Sequence, residues 1–487
     1  MFPLLLLFLP FVSALLLIAM PGKQSKYIAF ASSILSLVAI LVSLNTLRLD
    51  SLSSTLAFNH PWLSSLGSSL SFKIDGIAMV LLLLTNILFP LIVFSTFDRE
   101  VSKPKGYFAL ILFMQSALLG VFMAADGLVF YIFWELALIP IYFICLVWGG
   151  DGRQRITFKF FIYTLLGSLF MLVALIFLYQ HAPNHSFALQ DLYMAGEGMT
   201  FIQQSWVFWF LFLAFAIKMP IFPFHTWQPD TYTNAPTQGT MLLSGIMLKM
   251  GTFGLIRWLL PMVPDAVSTY STSVIILSLI SVVYASAIAI VQVNFKRLIA
   301  YSSIAHVGLI CAGIFAYKEE SIQGALVQMF AHGINVVGLF FICDILQRNT
   351  GTDTITELGG IRSINSKFAF WYLIILLGSV ALPLTNGFVG EFLLLNGIFQ
   401  YNAWFAAIGG LTIILGAVYM LRSYQAIMLG ETKSKTKAFS ALSKSESLLL
   451  GIVAIIIVVC GVFPKLILDL SALEVKTMMN ALWNSKL

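Results

Sequence analysis

Trp206-Val207-Phe208-Trp209-Phe210-Leu211-Phe212-Leu213-Ala214-Phe215-Ala216-Ile217-Lys218-Met219-Pro220 sets one ammonium, Lys218, in a stretch with no other strongly polar side chain before His225. A lysine at the depth of a lipid-crossing helix costs roughly 2.5–3.5 kcal/mol on insertion scales. It persists where a partner or a hydrated cavity receives the charge. Glu135, Lys249, His306, His332 and Glu391 are stranded in the same manner, each in a different apolar run. Six ionisable groups in six runs point to a route for charge through a membrane.

The rest of the chain supplies that membrane context. Its 487 residues are 59% hydrophobic and 10% charged, with mean hydropathy +0.94, which fits a polytopic membrane protein and no soluble domain of this size. Apolar runs long enough to cross a ~30 Å hydrocarbon core occur near 2–20, 26–47, 75–97, 107–125, 127–148, 156–180, 205–229, 236–259, 270–292, 296–316, 321–343, 368–398, 403–430 and 447–467. The first run lacks a basic leader and a small-residue cleavage site before Pro21, and reads as a retained helix. Cys145, Cys311, Cys343 and Cys460 stand singly in apolar runs, without the paired spacing of an iron–sulfur cluster, a structural zinc or a disulfide framework. No glycine-rich nucleotide fingerprint is present, so no cofactor or metal is expected on this chain. The net charge of +6 comes from short loops and is topological rather than a sign of nucleic-acid binding.

Orientation follows from those loops. Seventeen lysines and arginines fall in or beside the odd-numbered loops, and only Arg48, Lys73, Arg257 and Lys318 in the even-numbered ones. The positive-inside rule then places odd loops in the cytoplasm and both termini outside. Two runs carry breaks: the seventh at Pro220 and Pro223 beside Lys218, and the long twelfth at Leu382-Pro383-Leu384-Thr385-Asn386-Gly387. Proline removes a backbone donor and clashes with the preceding turn, and transporters put such breaks where backbone lines a cavity. His306 lies 171 residues after Glu135, and Glu391 173 after Lys218. This offset suggests two five-helix blocks, 107–259 and 270–430, the second inverted because each holds an odd number of helices. Residues 1–106 would be three leading helices, and 431–487 a cytoplasmic loop with a fourteenth helix.

Each stranded group has a plain alternative. Glu135 reads as the partner of Lys218 in an ion pair or switch, or as a carboxyl kept neutral by burial. Lys218, about 20 Å into its helix at 1.5 Å per residue, is too deep to snorkel readily. Lys249 reads as a relay or as a structural donor to carbonyls freed at the seventh-run break. His306 and His332, with Ser302 and Ser303 nearby, suggest a hydrated proton path rather than a metal site. Glu391, beyond the second break, belongs to the outer half of its run and suits an exit group. His225 and Asp230 are possible accessories that stabilise the broken helix.

Ala216-Ile217-Lys218-Met219-Pro220 with His225-Thr226-Trp227, Leu248-Lys249-Met250-Gly251, Lys296-Arg297-Leu298-Ile299-Ala300-Tyr301-Ser302-Ser303 with His306, and Gly387-Phe388-Val389-Gly390-Glu391-Phe392 resemble the proton-translocating antiporter-like subunits of respiratory complex I. Glu391, where sister subunits typically carry lysine, resembles the chain M (subunit 4) type. The resemblance implies an all-α fold of about fourteen transmembrane helices with two inverted five-helix repeats. It implies a proton-translocating NADH–quinone oxidoreductase of the respiratory chain, in an energy-coupling membrane such as a bacterial inner membrane. Quinone reduction elsewhere would drive the pump, with NADH, FMN, iron–sulfur clusters and quinone held by partner subunits, among them sister antiporter-like subunits. Glu135 and Lys218 would form the switch, Lys249 the central relay, His306 and His332 the bridging shuttles, and Glu391 the terminal group. Tyr232, Gln228 and Asn294 depart from the family pattern and leave the route of proton entry open. A secondary cation–proton antiporter subunit without redox partners is the alternative reading.

Overall fold

A computed structural model describes residues 1–50 and 53–484. Among the described residues thirteen helices are long and apolar enough to cross a membrane. In chain order the helices are α1 (Phe2–Ala19), α2 (Ser25–Leu49), α3 (Gly76–Phe94), α4 (Pro104–Met123), α5 (Gly127–Trp148), α6 (Arg153–His181), α7 (Leu189–Glu197), α8 (Phe201–Lys218), α9 (Gln228–Asn234) and α10 (Thr237–Met262). They continue as α11 (Pro264–Val291), α12 (Phe295–Phe315), α13 (Glu319–Thr350), α14 (Ile361–Ile364), α15 (Ser366–Ser379), α16 (Asn386–Tyr401), α17 (Ala403–Met428), α18 (Lys444–Val462) and α19 (Lys465–Asn484). The twelfth run is divided between the two shorter helices α15 and α16, neither of which is long enough alone to count among the thirteen. Side-chain oxygens start many of them: Asp75 accepts from Ala78 N at the head of α3, Asp126 from Leu128 N and Val129 N at α5, and Asn294 from Arg297 N at α12.

α10 and α13 are buried along their whole apolar windows, and α3 and α12 nearly so. These four helices form the centre, while α1, α2, α6, α17 and α18 turn much of their apolar surface outward. Glycines set the crossing of α10 and α13. A Cβ on Gly333 of α13 would stand 2.9 Å from Gly245 O of α10, and one on Gly245 would stand 2.8 Å from Val337 Cγ2, both closer than such atoms approach without movement.

Two elements lie outside the sequence expectation. An antiparallel hairpin, β1 (Ala57–Leu63) and β2 (Ser68–Lys73), fills the second loop. The amphipathic α19 packs against α3 and α13. The Met1 amine donates to Thr55 O beside that hairpin (2.8 Å), so the N-terminus and α19 share the face of the even-numbered loops.

Candidate functional site

Both expected breaks are present. α8 ends at Lys218, and turns carry the chain through Pro220 and Pro223 to α9. Between α15 and α16, around Pro383, Ala381 and Leu384 adopt left-handed conformations (φ 56° and 73°). Such conformations cost an L-residue roughly 1–2 kcal/mol, so the surrounding packing holds this break in place. α10 is continuous but contains two π-helical turns, Leu243–Met247 and Leu255–Leu259. The first precedes Lys249 and leaves the Ser244 carbonyl to accept from Lys249 Nζ (2.6 Å). Lys249 therefore bonds within its own helix, not to the break after α8.

Four of the six stranded groups meet in one row. Lys249 Nζ lies 2.8 Å from His332 Nδ1, a contact set by the crossing at Gly245 and Gly333. With Lys249 as an ammonium, which only donates, Nδ1 accepts and His332 carries its hydrogen on Nε2. The His332 and His306 rings are 5.8 Å apart, centre to centre. His306 Nδ1 stands 2.8 Å from Ser302 O; a carbonyl only accepts, so Nδ1 is protonated. His306 Nε2 is 3.3 Å from Glu391 Oε1, and that contact needs one further proton, on the ring or on the carboxyl. Glu391 also accepts from Gln328 Nε2 (3.2 Å). All four groups are buried. The two histidines of the row line a chamber of about 10 Å³ together with Ser302, Ser303, Gln328 and Asn335, near the lower bound for one water.

Glu135 and Lys218 stand apart from this row and from each other's hydrogen-bonding reach. Lys218 Nζ is buried with no hydrogen-bond partner and faces the Trp134 ring at 5.4 Å, a cation–π placement. Glu135 is half-buried, and its Oε1 is also without a partner.

A family model described as NADH:quinone oxidoreductase/Mrp antiporter, transmembrane, matches residues 124–416, the segment holding all six groups. The chain belongs to this family. It is 38% identical over 483 residues to NADH-quinone oxidoreductase subunit M of Rickettsia typhi, covering 97% of both chains. It is 33% identical over 473 residues to NADH-ubiquinone oxidoreductase chain 4 of Mycosarcoma maydis, covering 96% of both. Its fold superposes with a TM-score of 0.91 on a chain of respiratory complex I from Thermus thermophilus with bound NADH, at 30% identity, covering 99% of this chain and 100% of that one.

The accessory residues of this antiporter-family chain divide. Asp230 is a surface group that pairs with Arg297 (3.0 Å) and Lys159 (3.4 Å). His225 is buried between Phe222 and Tyr284, with ring centres 5.9 and 5.2 Å away. Gln328 and Asn335 were not singled out by sequence reasoning, yet they lie four before and three after His332 on α13. A search for polar residues at helical spacing around His332 would have found them. Tyr419, which bonds Ser302 Oγ through its hydroxyl (3.1 Å), comes from a distant helix with no such signal.

Proposed function

We propose that this chain is a proton-translocating membrane subunit of an NADH–quinone oxidoreductase. It would carry protons from the cytoplasm to the outside while quinone reduction in partner subunits supplies the energy. The observation that carries this reading is the buried row Lys249–His332–His306–Glu391, where a donor faces an acceptor at one end and a shared proton is required at the other. The odd loops face the cytoplasm by their charge, the two five-helix blocks are inverted repeats, and both termini lie outside. NADH, FMN, iron–sulfur clusters and quinone belong to the partners. Glu135, half-buried on α5, is placed to sense charge arriving from a neighbouring subunit. That charge changes the field at Lys218, which biases the proton equilibria of the row from across the gap, because the two lysines do not touch.

The test is to replace Lys218 or Glu135 with alanine in the whole complex. The complex should assemble and pumping should cease; normal coupled pumping in both variants removes the proposal. The family model's description also includes Mrp antiporters, which favours a second reading, a cation–proton antiporter subunit without redox partners. Purification in mild detergent separates the two. Flavin and iron–sulfur subunits with NADH oxidation support the first, and their absence from an intact, transport-active assembly supports the second.

A further inference from the structure

A cavity of about 590 Å³ opens on the face of the odd-numbered loops. Its wall takes Arg99, Asp151, Asn234, Asp344 and Gln347 from four different loops or helix ends, and Lys296 is part of its lining. Lys296 is only 5% exposed, and its Nζ donates to Ala235 O (2.7 Å) at the junction of α9 and α10. Its neighbours are paired elsewhere. Arg297 turns to Asp230 (3.0 Å), and Asp344 is held by Arg99 (2.5 Å) and Arg348 (3.0 Å). Among the described residues no carboxylate forms an ion pair with Lys296, although Cys145, Cys343, Asp344 and Asp353 lie within its electrostatic reach. This buried lysine has no part in the relay described above.

Three helices lead inward from it. On α12 the next turn brings Ile299 and then Ser303 and His306, all lining the small chamber of the relay. Lys296 and Ile299 are separated by about 4.5 Å of helix rise at 1.5 Å per residue. On α13, Asp344 and Gln347 line the outer cavity, Phe340 packs against Tyr232 (ring centres 6.1 Å), and Asn335 and His332 line the chamber. On α9, Asn234 belongs to the outer cavity, while Gln228 reaches inward to Ala300 O (3.4 Å). Tyr232 OH, Gln228 Oε1, Ser303 Oγ and Asn335 Oδ1 are all buried without a hydrogen-bond partner. Ser303 and Asn335 line the inner chamber, Gln228 and Tyr232 share α9 with Asn234 of the outer cavity, and water entering between the two would satisfy all four.

We propose that Lys296 is the proton-entry group for the relay, passing protons from the outer cavity to the His332–His306 chamber along Tyr232, Gln228, Ser303 and Asn335. The ammonium gives one N–H proton to water in that path, the histidine pair gains one, and vestibule water returns one to the amine. Protons thus reach the row without crossing Lys218, which acts on the row by its charge. The proposal rests on the pump reading above and on the odd loops facing the cytoplasm.

The experiment uses the whole complex in inverted membrane vesicles, with NADH-driven acidification as the readout. Lys296→Arg keeps a donor for Ala235 O but holds its proton at all working pH values. The expected result is that K296R and K296M both assemble and both lose at least tenfold in pumping. Parent-level pumping by K296R overturns the proposal, since a merely structural lysine is replaced by arginine's charge. Gln347→Cys at the exposed rim, treated with a bulky membrane-impermeant maleimide, covers the case in which K296R does not assemble. Pumping should fall on labelling relative to the same variant unlabelled, and unchanged pumping after complete labelling overturns the proposal. Loss of pumping in Lys218→Ala alongside normal pumping in K296R and labelled Q347C would leave the pump reading standing and remove only this entry route.

Discussion

Glu391→Gln isolates the last step of the row. The amide has the same length and can donate to an unprotonated His306 Nε2, so the 3.3 Å contact survives without the additional proton it now requires. What is lost is a carboxyl that can take up and give back the proton and, in the form with that proton on the ring, its negative charge. Two unit charges at that distance attract by about 332/(20 × 3.3), or ~5 kcal/mol, at the effective permittivity that describes protein sites. Desolvation offsets most of such an attraction in a buried pair. If about a third survives, the loss is ~1.5 kcal/mol, close to one decade in rate at 1.4 kcal/mol per tenfold. Proton transport by the reconstituted complex should therefore fall about tenfold or more. NADH oxidation by an artificial acceptor that bypasses the membrane part should stay at the parent rate. Gln328→Ala removes a hydrogen bond to the same carboxyl but no charge, and should have a smaller effect. Parent-level pumping by Glu391→Gln would refute the idea that a proton shared by His306 and Glu391 is part of transport.

Asp75→Ala removes both the α3 cap and the partner of Arg257, whose Nη2 lies 2.5 Å from Asp75 Oδ1. Stranding one member of a buried pair costs about 3–5 kcal/mol, so thermal unfolding of the solubilised complex should begin well below the parent temperature; an unchanged curve counts against that pair as a brace. A Cβ on Gly251 would meet Phe215 O at 2.8 Å and Met219 Cβ at 3.0 Å, next to Lys218. Gly251→Ala should cost about 1–3 kcal/mol by overpacking and reduce pumping, whereas Gly410→Ala, with open space around it, should do neither. Glu357 on the odd-loop face is held below the usual 4.5 by the hydrogen bond from Lys435, helped by Thr352. A depressed carboxyl contributes stability above its unfolded value, lost as pH falls through the folded one. The 430–443 loop should become protease-sensitive below about pH 4.5 in the parent, and already near neutrality in Glu357→Gln; identical digestion of the two dismisses the tether.

The crossings were legible because a run of about 20 apolar residues has few meanings, and the breaks because Pro220, Pro223 and Pro383 interrupt such runs. The hairpin was not, since Ala57–Lys73 mixes serine, proline and glycine, and its pairing depends on neighbours. α19 carried a signal that a search for apolar runs passes over. Ile467, Leu470, Val475 and Met479 are its buried apolar positions, with Ser471 buried beside them, a helical stripe whose run is interrupted in sequence by Asp469, Glu474 and Lys476. The π-helical turns that free the Ser244 carbonyl have no clear sequence mark. The contact of His306 with Glu391 joins residues far apart in the chain, and depends on α16 lying close to both α12 and α13. A Cβ on Gly390 would collide with Gln328 Oε1. The glycines of Gly387-Phe388-Val389-Gly390-Glu391 could be read only as family signature until that approach was seen.

The isolation of Lys218 bears on how such a chain can do work. A continuous proton wire from Glu135 to Glu391 would let protons run back whenever the redox partners rested. Here Lys218 sits against Trp134 with no hydrogen-bonded link to Lys249 among the described residues, while within the row Lys249 is bonded to His332 and His306 contacts Glu391. A charge acts across such a gap where a proton does not: at 10 Å and an effective permittivity of 20 two unit charges still interact by about 1.7 kcal/mol, enough to change a proton equilibrium more than tenfold. Lys218 can thus bias the row without conducting into it. On the proposed function, separating the group that carries the signal from the groups that carry the proton would let one chain respond to a distant reaction without leaking.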